Sequence, residues 1–128
     1  MHMGSTAGQL RQILERELAV HRELLRLARS RHLLLKQGRF DEAADLAVLE
    51  AAYVVTLRDL EARRRQLRHK TSTKVPDVAT FTRQIATLVR GLGAVERANR
   101  TLWSERVLAP ALAAIASAST SRAQARLN

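Results

Sequence analysis

The sequence predicts an all-α protein, an elongated antiparallel bundle of three long helices in coiled-coil fashion, followed by a short tail. In three long stretches, apolar residues recur at alternating steps of four and three, which is the spacing of a helix face that packs on other helices. The composition is 46% apolar but only 3% aromatic, which is typical of long-helix proteins. With 128 residues, the chain forms one domain, residues 1–128.

The first helix is predicted over about residues 6–37. Ser5 or Thr6 can cap its N-terminus. Lys36 places a cation near its C-terminus, and Gly38 can adopt the left-handed conformation that ends a helix. The apolar face is wide enough for two neighbouring helices. Its central positions are Leu14, Leu18, His21, Leu25, Ala28, His32 and Leu35.

The second helix is predicted over residues 41–70. Asp41 and Glu42 place negative charge in its first turn, where the helix dipole favours it. The short connection after Gly38 indicates an antiparallel hairpin. The apolar face of this helix is predicted at Leu46, Leu49, Tyr53, Leu57, Leu60 and Leu67.

The third helix is predicted over residues 77–106, after a linker from Thr71 to Asp77. Pro76 is tolerated in the first turn of a helix, and Asp77 favours the same place. Three helices of about 43 to 48 Å can bury one another's apolar faces, which a single helix cannot do. The alternative is a helical hairpin that completes its core by dimerising. The apolar face of this helix comprises Phe81, Ile85, Leu88, Leu92, Val95, Asn99 and Leu102.

A tail is predicted over residues 107–128. Pro110 cannot donate to the carbonyl of Arg106 and crowds it, which predicts a kink or break at residues 106–110. Residues 111–118 are then a separate short helix or a mobile segment, and residues beyond 117 are expected to be disordered in isolation. A folded tail would present Leu108, Leu112 and Ile115 as an apolar strip without an internal partner.

The sequence offers little for catalysis or metal binding. It contains no cysteine, and His21 and His32 are 11 residues apart on one helix, about 16 Å, too far to share a metal ion. No nucleophile stands with a base and an orienting group. We therefore expect no enzyme, no cofactor and no metal. Residues 1–8 contain no signal-peptide core, and the longest nearly apolar run is too short to span a bilayer, so a cytoplasmic location is expected.

The net charge of +10 predicts attraction to nucleic acid, anionic lipid or an acidic protein, weakened by salt. The best candidate for a basic surface is the end of the second helix, with Glu61 on the same face. Aromatic residues for base stacking are scattered, so nucleic acid is the less favoured partner and a solvated helix end is the simpler interpretation. A basic binding module and a coiled-coil scaffold, including a homodimer, remain alternatives. The basic residues are Arg63, Arg64, Arg65 and Arg68.

Three short motifs, in order, resemble the FlgN-type flagellar export chaperones of type III secretion. Lys36-Gln37-Gly38 closes the first helix, Leu57-x-x-Leu60-Glu61-x-x-Arg64 lies in the second, and Asn99-x-x-Leu102-Trp103 lies in the third. The resemblance covers about residues 10–116. It rests on the order of the motifs and on the three helix lengths together.

The resemblance implies an all-helical chaperone that binds the hook-associated junction proteins of the bacterial flagellum. Such chaperones prevent early assembly of their clients and deliver them to the export apparatus at the inner membrane. Clients bind to the C-terminal helical region in this family. The chain is more basic than these chaperones often are, and no tyrosine follows Trp103, so contacts with the export gate stay unassigned. The implied client-binding residues are Asn99, Leu102, Trp103, Val107, Leu108, Leu112 and Ile115.

Overall fold

The computed structural model describes residues 5–70 and 77–127, which are helical almost throughout. Three long helices follow one another: α1 (Thr6–Lys36), α2 (Phe40–Lys70) and α3 (Val78–Trp103). A π-helical turn, Ser104–Leu108, then leads directly into α4 (Ala109–Leu127). The predicted all-α helical bundle is confirmed.

Helix α1 is the central element of the bundle. Glu17 of α1 meets Arg64 late in α2, so these two helices are antiparallel, whereas Ala28 of α1 meets Asn99 late in α3, so these two run in the same direction. Within the described residues, no Cα atom of α2 lies within 8 Å of one in α3. Every predicted central position of α1 is buried except His32, which is half-buried. The bundle is therefore held together through α1, with α2 and α3 on its two sides.

The ends of α1 follow the local signals in the sequence. The Ser5 side chain accepts a hydrogen bond from the backbone N–H of Gly8 at 3.1 Å, as an N-cap does. At the other end Gly38 has φ +73°, and the N–H of Arg39 donates to the carbonyl of Leu34 at 2.9 Å. This is the Schellman arrangement, and it confirms Gly38 as the helix stop.

At the opposite end of the bundle, apolar residues from all three helices meet. Leu10 and Leu14 of α1 pack with Leu67 of α2 and Phe81 of α3. The predicted linker, including Pro76, falls on residues 71–76, which lie outside the described residues. Asp77 is the N-cap of α3, one residue before the first turn in which it was predicted. It has a left-handed conformation, φ 71°, and its carbonyl accepts a hydrogen bond from the N–H of Phe81 at 2.9 Å.

The sequence predicts a kink or a break at residues 106–110, and the break is wrong, because the chain stays helical through a π turn, Ser104–Leu108, into α4. The regular α-helix of α3 ends at Trp103, three residues before the predicted end at Arg106. The N–H of Ala109 donates to the carbonyl of Ser104, five residues earlier, which is the π-helical pattern. This wider turn admits one extra residue just before Pro110, where a regular α-helical turn would press the ring against a carbonyl. Arg106 also donates to the carbonyl of Lys36 at 2.6 Å, which ties the π turn to the end of α1.

The predicted disorder beyond residue 117 is also wrong, because α4 continues to Leu127. The segment is rich in alanine, the strongest helix former, which accounts for a helix without tertiary support. All residues of α4 are exposed. The tail is therefore an exposed helical arm that continues the chain after the π turn.

Candidate partner-binding site

A groove lies between α2 and α3 at the end of the bundle from which α4 projects. It encloses about 510 Å³, and we call it the apical groove. Small side chains on α2 face the larger Trp103 and Leu108 across it, and because the two helices do not pack together the space between them stays open. The lining residues are Arg31, Leu35, Ala43, Ala44, Ala47, Asn99, Arg100, Trp103, Ser104 and Leu108.

Trp103 forms one wall of the apical groove. Its ring meets Phe40, the first residue of α2, edge to face, with 6.3 Å between the ring centroids and 90° between the planes. The Trp103 side chain nevertheless stays 42% exposed. The contact with Phe40 orients the indole and leaves much of its surface available to a partner.

An apolar strip continues from the groove along α4. Leu108 belongs to both, since it lines the groove and begins the run of Leu108, Leu112 and Ile115, which we call the α4 strip. Leu112 is 57% exposed and Ile115 is 61% exposed. Leu102 and Val107, two other predicted client-binding residues, are half-buried. The structure thus brings Trp103, Leu108, Leu112 and Ile115 onto one accessible surface.

Asn99 differs from the other predicted client-binding residues because it is only 1% exposed. Its Oδ1 accepts from His32 Nδ1 at 2.9 Å, and its Nδ2 donates to the carbonyl of Ala28 at 3.1 Å. Both hydrogen bonds join α3 to α1. The geometry therefore favours the register role expected of a polar residue on a packing face over direct contact with a client.

Arg31 joins the two outer helices beneath the groove. Its Nε donates to Glu50 of α2 at 2.7 Å, and its guanidinium also donates to Glu96 of α3. Burial lowers the pKa of the Arg31 guanidinium, but hydrogen bonds and attraction from the Glu50 and Glu96 carboxylates raise it by more, so the net shift is upward. Burial also raises the pKa of Glu50, an effect that Arg31 opposes.

Sequence reasoning missed the Arg31 cluster, although a signal for it exists. Glu17, Leu24 and Arg31 follow one another at steps of seven, so the two charged residues share a helix face with a leucine. On α2, Glu50 similarly stands seven residues before Leu57. Charged residues at the period of the apolar face indicate paired charges inside the bundle.

The predicted basic surface is divided by the structure. Arg64 turns toward α1, where its Nε donates to both oxygens of Glu17 at 2.9 and 3.1 Å. Arg63 is exposed and pairs with Asp59 at 3.0 Å, whereas Arg65 lies 3.9 Å from Glu61 and Arg68 is exposed. The four arginines therefore do not form one free cationic patch.

The Arg64 contact matters because Glu17 is only 2% exposed. Burial raises the pKa of Glu17, and the hydrogen bonds from Arg64 oppose that rise. His21, one turn further along α1, is also buried, and burial lowers its pKa. The hydrogen bonds from Arg64 occupy both oxygens of the Glu17 carboxylate.

Within residues 5–70 and 77–127, no three histidine, cysteine, aspartate or glutamate side chains are grouped so that they could hold a metal ion. No helix in these ranges combines the length and the apolar character needed to cross a membrane. No protein-family model, curated protein or solved structure matches the chain. The functional argument therefore starts from the apical groove and the α4 strip, with the resemblance noted from the sequence.

Proposed function

We propose that this chain is a flagellar export chaperone without enzymatic activity. It binds the helical termini of hook-associated junction proteins in the cytoplasm, prevents their premature assembly, and delivers them to the export apparatus at the inner membrane. The observation that carries the proposal is the α4 strip, an apolar helix face that is exposed along its whole length and joins the apical groove.

The surface suits recognition of an amphipathic helix. A client helix with apolar residues at i, i+4 and i+7 can lie along Leu108, Leu112 and Ile115, while its end enters the groove beside Trp103. A client face covered in this way is not available for packing against the next subunit of a filament. The same contact therefore both binds the client and delays its assembly.

Charge complements the apolar contact. Helix α4 contains Arg122 and Arg126 and no acidic residue, and the exposed Arg100 lines the groove. A client helix with carboxylates beside its apolar face would be steered to this surface at low salt. The nucleic-acid alternative has less support, since the pairing of Arg64 with Glu17 removes one cation from its proposed surface.

The test is a binding measurement with peptides that span the terminal helices of hook-associated proteins from the same bacterium. Replacement of both Leu112→Asp and Ile115→Asp should abolish binding while helix content and melting temperature stay nearly unchanged, because both side chains are exposed. The matched control is Leu33→Asp with Val89→Asp, two exposed apolar residues outside the strip.

The control should bind like the wild type. Equal loss of binding in both variants would point to charge rather than to the strip, and retained binding in the Leu112 and Ile115 variant would contradict the proposal. A large drop in melting temperature would place the two residues in the core of the protein.

A further inference from the structure

The outward face of α2 is apolar in its middle part. Among its exposed residues between positions 44 and 56, only Asp45 is charged. Val48 is 72% exposed and Val55 is 67% exposed, and nothing among the described residues covers them. Surface helices usually carry polar residues toward solvent, and a helix that is apolar on all sides is usually buried. This face is formed by Ala44, Asp45, Val48, Leu49, Ala51, Ala52, Val55 and Thr56.

The exposed residues have the spacing of a second helix-packing face. Val48, Ala52 and Val55 follow at steps of four and three, on the side opposite Leu57 and Leu60, which are buried against α1. Valines alternating with alanine let two helix axes approach closely, because the distance between axes depends on side-chain size at the contact. The middle of α2 is therefore shaped to receive another helix.

The charges on either side of this face indicate which helix that is. Three exposed acidic residues, Asp41, Glu42 and Asp45, lie before the valines. After them, as far as Arg68, the exposed charged residues are mostly basic, with one acidic exception: Arg58, Asp59, Arg63, Arg65 and Arg68. Helix α2 as a whole carries six acidic and six Lys or Arg side chains, although the protein has a net charge of +10. A second α2 in antiparallel orientation places the acidic end of each copy against the basic end of the other.

We propose that the chain forms a homodimer through antiparallel packing of α2 against α2 of a second copy, with the two-fold axis near Ala52. The contact is isologous, so each copy contributes both the valines and the two charged ends. With this axis, Arg63, which pairs with Asp59 at 3.0 Å in its own chain, lies opposite Asp41 of the partner copy. Asp45 lies opposite Asp59, so Asp41 and Arg63 form the attractive pair at each end. Because the two α2 helices run in opposite directions, the two apical grooves lie at opposite ends of the dimer.

The first test measures the mass of the full chain in solution by light scattering and sedimentation over a range of concentrations. The wild type should be a dimer, and Val48→Lys with Val55→Lys should weaken dimerisation by about 100-fold, since the substitutions place charge at the centre of the interface. Circular dichroism should stay unchanged, because both valines are exposed in the monomer.

The matched control is the variant Leu112→Asp with Ile115→Asp, which should remain a dimer. A monomeric wild type would overturn the proposal, as would a dimer that survives the Val48 and Val55 substitutions. A dimer abolished by the α4 control would show that the α4 strip is the contact between copies. No client is present in these measurements, so their outcome is independent of the chaperone proposal.

The second test examines orientation by charge reversal. Asp41→Lys, and separately Arg63→Glu, should each weaken self-association about tenfold, because like charges then meet at both ends. An equimolar mixture of the two variants should recover a mixed dimer of wild-type affinity. A parallel contact already places like charges together in the wild type, so undiminished association of the single variants would contradict the antiparallel arrangement.

Discussion

Helices α1 and α4 are both rich in apolar residues, yet they have opposite environments. Helix α1 lies between α2 and α3, and its leucines form most of the protein core. Helix α4 is exposed throughout, and Leu112 and Ile115 project into solvent. The comparison teaches that the same residue types stabilise the fold in one helix and are free to bind a partner in the other. Substitutions in α1 should therefore change stability, and those in α4 should change binding.

The largest expected effect on the free energy of unfolding concerns Glu17, a buried carboxylate of α1. Arg64→Ala removes the partner of the buried Glu17 carboxylate and should lower the free energy of unfolding by about 3 to 5 kcal/mol. Arg65→Ala is the neighbouring control and should cost less than about 0.5 kcal/mol, because the Arg65 side chain is exposed and lies 3.9 Å from Glu61. Urea unfolding of the two variants measures the difference. Equal effects would show that Glu17 does not depend on Arg64.

A direct comparison of the two helices uses the same substitution in each. Leu27 of α1 is 2% exposed, and Leu27→Ala should cost about 2 to 5 kcal/mol through lost burial and a cavity. Leu112→Ala in α4 should cost less than about 0.5 kcal/mol, since its side chain is exposed. If Leu112→Ala were as destabilising as Leu27→Ala, α4 would belong to the folded core and the contrast between the helices would fail.

Asn99 tests how α3 is aligned on α1. Asn99→Leu removes the hydrogen-bond partner of the half-buried His32 and should cost about 1 to 3 kcal/mol. In a double-mutant cycle with His32→Leu, the two effects should not add, because both remove the same contact. If the two losses of stability were additive, Asn99 and His32 would not depend on a shared hydrogen bond. Binding of the client peptides should survive Asn99→Leu if Asn99 acts only through register.

The smallest expected effect is a dependence of stability on pH. Burial lowers the pKa of His21 below its ordinary 6.5, an effect that the nearby Glu61 carboxylate opposes. The unfolded chain therefore takes up a proton at a higher pH than the folded protein does. His21 stabilises the fold fully above about pH 6.5, and this contribution is lost as the pH falls through 6.5 toward the folded pKa.

Urea unfolding at pH 7.5 and at pH 5.5 checks this expectation. The wild type should lose more stability between the two values than His21→Leu does. His69→Leu is the control, because His69 is exposed at the end of α2, and it should behave like the wild type. Burial raises the pKa values of Glu17 and Glu50, so these two residues increase the free energy of unfolding as the pH falls, opposite to His21. Because both glutamates are present in every variant, the difference between the variants reports on His21 alone.

Helix α2 shows where periodicity stops being informative. The sequence placed Leu49 on its packed face, but Leu49 is exposed, and Ala43 and Glu50 are buried instead. Because the middle of α2 is apolar on all sides, several faces fit the helical period equally well. The position of α1, and the charge of Arg31 beside Glu50, select the face that is packed.

The sequence by itself determined the helices, the stop at Gly38 and the packed face of α1, since hydrogen bonding within a helix, left-handed glycine and apolar period are local properties. Only the tertiary structure decided that a π turn accommodates Pro110, because Arg106 in that turn donates a hydrogen bond to the carbonyl of Lys36 at the end of α1. It also decided that Arg31 and Arg64 turn inward while Val48 and Leu112 stay exposed. Burial and charge pairing depend on which helix lies opposite a residue. That arrangement is determined by contacts between residues far apart in the chain.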